Sequence, residues 1–256
     1  MTRMTDIVQK TIFISFHHPE SQPFVLPPET EQPQHLVIIV EKGVHAVLVD
    51  SPVAESGTFG TTRVVELYVQ DRASVVWRQG KEGMSSFEQV VTVVLEEQGS
   101  FEKTFFYKVS STGTSRYSFI LVGSHAQVML GGRMMLTGTS KQNIMVEQIH
   151  HAPDTTSTVE IYAVLDDASF LDYQGTITIE KTAVRSKAFQ TQKNLVISPL
   201  AHVVSIPNLQ VLTHEVQCGH GSAVSHVNDD HLFYLQSRGL SYETARQCIV
   251  AGFLVY

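Results

Sequence analysis

A mainly β chain ending in a short helical hairpin is the fold class predicted, on three observations. Short runs rich in Val, Ile, Phe and Thr follow one another from His35 to about Ser225, each bounded by Gly, Asp, Asn or Ser. Small or polar corners recur through that stretch at a spacing of about 26 residues, which then drifts. Beyond Asn228, capping residues and apolar faces at helical spacing replace the strand pattern. Strands with a repeat of this length suggest a β-helix solenoid, in which each coil buries its apolar face only by stacking on the next. A large β-sandwich built from hairpins is the alternative that periodicity leaves open.

Residues 1–34 read as an irregular N-terminal arm. One strand-like run, Ile12 to Phe16, leads into Pro19, Pro23, Pro27, Pro28 and Pro33, and proline this dense disrupts helices and ladders alike. Residues 35–228 form the β domain. Its expected strands include His35–Val40, Val44–Val49, Arg63–Val69, Ser74–Trp77, Gln89–Leu95 and Phe101–Val109. Ser118–Val122, Gln127–Leu130, Thr158–Val164, Gly175–Glu180 and Leu209–Leu212 continue the series. The corners fall at Val44-His45-Ala46, Arg72-Ala73-Ser74, Gln98-Gly99-Ser100, Ser124-His125-Ala126 and Ile149-His150-His151. Residues 229–256 form the helical segment. Asp229 or Asp230 caps a first helix carrying Leu232, Phe233 and Leu235, which Gly239 ends. Ser241 caps a second, with Glu243 in its first turn. Its small and apolar face is Ala245, Cys248, Ile249 and Gly252, which makes Cys248 a core residue.

The chain has 256 residues, enough to bury a core without staples, and its formal charge of −7 with no dense Lys/Arg run argues against nucleic-acid binding. No apolar stretch reaches the roughly 18 residues of a membrane span. Met1 to Lys10 lacks the apolar centre of a signal peptide, so a cytoplasmic protein is expected. The two cysteines, Cys218 and Cys248, cannot make a disulfide framework, nor can they alone hold an iron–sulfur cluster.

Enzymatic motifs are absent. There is no nucleotide-binding G-x-x-x-x-G-K-[ST], and Gly57-Thr58-Phe59-Gly60 reads as a turn. There is no G-x-S-x-G, H-E-x-x-H or C-x-x-C. The dense constellation is His214-Glu215-Val216-Gln217-Cys218-Gly219-His220-Gly221, with His226 and His231 downstream. In an extended strand His214, Val216, Cys218 and His220 share one face, with Cys218 and His220 about 7 Å apart at Cα. A thiolate beside an imidazole suits Fe, Zn or Cu, and Gly219 and Gly221 leave room for another backbone or a cofactor. The bland reading is a buried cysteine and surface histidines. As ligands, His214 and His226 are the weaker candidates. His150-His151 point to opposite faces, His17-His18 precede a proline, and Met129, Met134 and Met135 read as core filler.

The C-terminal third carries a resemblance. Gln192-Lys193-Asn194-Leu195-Val196-Ile197-Ser198, Pro207 and Val216-Gln217-Cys218-Gly219-His220-Gly221 come first. Leu232-Phe233-Tyr234-Leu235-Gln236-Ser237-Arg238-Gly239-Leu240 and Gly252-Phe253 follow in the same order. This arrangement resembles the core domain of the SufB/SufD family of the SUF iron–sulfur cluster assembly system over about 65 residues. Within the family, Gly221 after His220 and the lack of any cysteine before Cys218 resemble the SufD branch. The pattern departs from the family at Ser222-Ala223 and His214, and the family's N-terminal helical domain is largely missing.

The resemblance implies a right-handed parallel β-helix that is not itself an enzyme. It implies dimerisation through the C-terminal coils, with a SufB-like subunit or a second copy. A SufC-like ATPase is implied on the C-terminal helices, with Leu232, Phe233, Tyr234, Arg238 and Gly239 as contact residues. His220 matches the family histidine at the subunit interface and Cys218 the neighbouring cysteine, where a transient cluster would be shared. Thiolate and imidazole ligate only when deprotonated, so assembly there should weaken as pH falls. The competing expectations are a purely structural partner and a free-standing metal-dependent enzyme such as a lyase or cupin.

Overall fold

The computed structural model describes residues 11–18, 22–50, 60–83 and 86–255. Two eight-stranded parallel sheets face each other. The first holds the odd strands: β1 (Thr11–Phe16), β3 (Gln34–Val40), β5 (Thr61–Val69), β7 (Phe87–Leu95), β9 (Thr112–Leu121), β11 (Lys141–His150), β13 (Phe170–Ile179) and β15 (His202–Val211). The second holds the even ones: β2 (Phe24–Leu26), β4 (His45–Asp50), β6 (Ser74–Gly83), β8 (Ser100–Val109), β10 (Gln127–Leu136), β12 (Thr156–Leu165), β14 (Lys187–Val196) and β16 (Gln217–His226). Every pairing is parallel and joins a strand to the next but one, which a hairpin-built sandwich cannot do. The β-helix is the fold.

The drifting repeat is the coil length. Arg63 pairs with Gln89, 26 residues on, whereas Phe170 pairs with His202, 32 residues on. Left-handed corner residues mark one column of turns: Arg72, Gln98, His125, Asp154 and Arg185, with φ between 56° and 60°. His150 is not at a corner. It closes β11 and is fully buried, and the turn comes at Asp154.

Alternate residues of each strand fill a narrow core. Its middle is an aromatic stack, Phe105 against Tyr107 and Tyr117 with ring centroids 4.5 and 5.9 Å away. Gly132 makes room for it, since a Cβ there would stand 2.3 Å from the Phe105 ring. Towards the first coils lies a buried charge cluster. Arg63 Nη1 is 3.2 Å from Asp50 Oδ1, and Lys81 Nζ is 2.6 Å from each Glu29 carboxylate oxygen. Lys103, also buried, lies with its Nζ 3.4 Å over the Trp77 ring and makes no hydrogen bond.

Three expectations need correction. The segment read as an arm supplies the first rungs: β1 pairs with β3 and β2 with β4, because Phe16 and Leu26 reach the core. The first helix, α1 (Asp229–Ser237), is capped by Asn228, whose side chain accepts from Asp230 N, and not by either aspartate. In α2 (Tyr242–Val255), Cys248 is exposed; Ala245 and Val250 are buried instead. The packed face continues through Ile249, Phe253 and Leu254, which meet Val164 and Leu195 on the outer side of the even sheet. Arg133 Nε donates to Leu254 O at 3.1 Å, and Arg246 pairs with Asp166. These contacts settle which side of the helix turns inward. The Gly57–Gly60 turn lies outside the described residues except for Gly60.

Candidate functional site

The site is built on the last coil. β15 and β16 end their sheets, and among the described residues no further strand covers them. The inward positions of β16 are set by its register on β14: Cys218 stacks on Ala188, His220 on Gln190, Ser222 on Gln192 and His226 on Val196. Lower coils hold such positions fully buried, but here the stack stops. His220 is exposed, and Cys218 is half-buried against Ile177, Ile179, Ala183 and Ala188. Ser222 Oγ lies 3.0 Å from Ser205 Oγ, which joins the two terminal strands across the open end. Outward-facing Gly221 would have open space around a Cβ, so packing within the chain does not demand a glycine there.

Cys218 and His220 therefore share a face, as the strand period requires. His214 does not join them. β16 begins only at Gln217, and His214 sits exposed in the bend before it, beside a shallow depression lined by Arg185, Lys187, Glu215 and Gln217. His226 has the same parity as His220 but stands six residues away, roughly 20 Å by strand rise. Among the described residues, no group of three or more His, Cys, Asp or Glu side chains is placed to hold a metal ion.

The other histidines do different work. His150 is held by Thr155 Oγ1 and Ser157 Oγ, each 2.7 Å from a ring nitrogen. Burial, and then His151, push it down to about 4, so it is neutral across the physiological range. His17 and His18 are exposed, and His17 Nδ1 lies 2.6 Å from Glu41. Met134 is core, Met135 packs under α2, and Met129 is partly exposed.

On the helical hairpin the five expected contact residues divide. Leu232 is buried, whereas Phe233 is 74% and Tyr234 57% exposed. The Arg238 guanidinium lies 5.2 Å over the Tyr234 ring, and Gly239 takes φ +93° to end the helix. An aromatic pair with an arginine is thus displayed to solvent while α2 is fastened to the body.

Sequence reasoning missed the polar layer under the site. Gln190, Gln192 and Asn194 point inward from β14, each at most 3% exposed. Gln190 Oε1 and the Tyr173 hydroxyl on β13 have no hydrogen-bond partner. The period-two spacing of the amides was the available signal, but polar residues at core positions read as a surface.

Comparison with known proteins adds to this geometry. The family model described as "SUF system FeS cluster assembly, SufBD core domain" matches residues 24–253. The chloroplastic protein ABCI7 of Arabidopsis thaliana is 25% identical, over 84% of this chain and 46% of that protein. The iron–sulfur cluster assembly protein SufD of Escherichia coli (strain K12) is 31% identical over 35% of this chain and 21% of its own length. An iron–sulfur cluster assembly SufBD family protein of Mycobacterium tuberculosis is 36% identical over 44% of this chain and 30% of its own. The chain thus spans less than half the length of each of these relatives.

Proposed function

The chain belongs to the SufBD core family of the SUF iron–sulfur cluster assembly system, and from that premise we propose that it is a SufD-like scaffold subunit. Its role is to support cluster formation with a SufB-like subunit, or a second copy of itself, and a SufC-like ATPase. It catalyses no reaction of its own. The observation that carries the reading is the end of the solenoid: two strands left as sheet edges, with Cys218 and His220 on the face that a second subunit would cover. Two ligands are too few for a cluster, so the remaining ones come from the partner chain. The cluster is cargo, held in transit. The exposed Phe233, Tyr234 and Arg238 offer the ATPase a surface of residue types enriched at protein interfaces. Gly239 shapes that surface, and Leu232 supports it from beneath. The reading places the protein in the cytosol. Among the described residues no helix is long and apolar enough to cross a membrane.

The test is cluster reconstitution with ferrous iron and sulfide in the purified complex, read by visible absorbance. His220→Ala should lower the yield at least tenfold, by analogy with other perturbed metal sites, while the complex stays intact. Equal yield would remove the site assignment. A second reading, a structural partner that never touches iron, is favoured by the apolar packing of Cys218 against Ile177 and Ala188. An intact complex with a silent His220 is its signature.

A further inference from the structure

The amides beneath the terminal coil are not equivalent. Gln192 lies under Ser222, and that rung is closed, with Ser222 Oγ 3.4 Å from Gln192 Oε1. An inward amide of β14 therefore reaches the side chain stacked on it. Gln190 lies under His220 in the same register, and its rung is open. Gln190 is 3% exposed and its Oε1 has no hydrogen-bond partner. A buried acceptor in that state is costly and calls for a donor. The side chain stacked on it is an imidazole, which in its neutral form has one N–H to give.

The opposite wall is shaped for this amide. Across the core stands Gly175, where an added Cβ would lie 2.1 Å from Gln190 Nε2 and 2.4 Å from Oε1. Any other residue there would push the amide out of its layer.

We infer that Gln190 is a positioning residue for His220: its Oε1 accepts the N–H of one ring nitrogen and leaves the other, unprotonated, facing the open end of the solenoid. The purpose of this arrangement rests on the scaffold reading above. A ligating imidazole needs a fixed tautomer and a fixed ring plane, and the hydrogen bond on its second nitrogen supplies both. A neutral amide does so without adding charge at the coil where a cluster would be passed on.

Two measurements test the inference on the full chain and on its complex. Long-range 1H–15N correlation spectra should show His220 of the wild-type chain in one neutral tautomer. Gln190→Leu should turn this into a mixture. Gln190→Asn, gentler on the fold, should do the same by withdrawing the amide one methylene. Gln190→Glu, which keeps an acceptor, should restore a single form. In the complex, Gln190→Leu should lower cluster yield from ferrous iron and sulfide about tenfold, with recovery in Gln190→Glu. Unchanged ring signals in both the leucine and asparagine variants overturn the inference. So does an altered ring with normal cluster yield in a complex where His220→Ala is inactive. If His220→Ala itself leaves the yield intact, the site assignment falls, and the positioning role falls with it. The ring spectra then report only whether the hydrogen bond exists.

Discussion

Lys103 offers the sharpest test of how this core is held. Its Nζ lies over the Trp77 ring and has no hydrogen-bond partner, and its neighbours on the inner face are Phe101 and Phe105. Burial is the main force on it, partly opposed by the Asp50 carboxylate, and together they bring it down from 10.5 to about 7. Below pH 7 the amine is charged in folded and unfolded chains alike, and the fold bears the full desolvation penalty. Between pH 7 and 10.5 the unfolded chain binds one more proton than the folded one. Stability therefore rises with pH through that window, by about 1.4 kcal/mol per pH unit. The whole interval corresponds to about 5 kcal/mol. Lys103→Met keeps the length and removes the charge. It should stabilise the protein at pH 7 by about 5 kcal/mol on this reckoning, and the advantage should vanish by about pH 10.5. Urea unfolding of both chains at pH 7, 8 and 9 measures the difference while other titrating groups cancel. A methionine variant that is less stable at pH 7, or a gap independent of pH, would refute the argument.

Two other perturbations act on different layers. His150 has a folded value of about 4 against 6.5 in the unfolded chain, so its contribution is complete above pH 6.5 and is lost as pH falls towards 4. The loss should total about 3 kcal/mol, and His150→Gln should flatten the acid limb of an unfolding profile. Gly132→Val drives a side chain into the Phe105 ring and should cost about 3 kcal/mol, seen as a lowered urea midpoint. A midpoint equal to that of the unaltered chain would mean that the ring moves aside freely.

How legible all this was in the sequence can be judged from particular elements. Strands whose inward positions are apolar, such as β5 with Val65, Leu67 and Val69, announce themselves by period two. β11 and β14 do not, because Gln142, Gln148 and His150 in one and Gln190, Gln192 and Asn194 in the other occupy core positions. In a solenoid the backbone ladder continues whatever the inward side chain, and neighbouring coils supply polar partners that a single segment cannot reveal. The first rungs were hidden by proline, which breaks long ladders but tolerates the short strand Phe24–Leu26 between turns. The parity of Cys218 and His220 followed from the sequence alone. Their position at an uncovered end did not, since it depends on where the stack of coils stops. Cys248 was misplaced because α2 meets the sheet through Ile249, Val250, Phe253 and Leu254, the side on which Arg133 holds Leu254 O and Arg246 pairs with Asp166.

In a stack of repeats each unit ordinarily senses only the one above and the one below. The last helix breaks that rule. By tying its tail to Arg133 on β10 and an earlier turn to Asp166 after β12, while resting on Leu195 of β14, it splints three successive coils from outside. A pull on the hairpin is therefore shared by all three, and these coils come apart together or not at all.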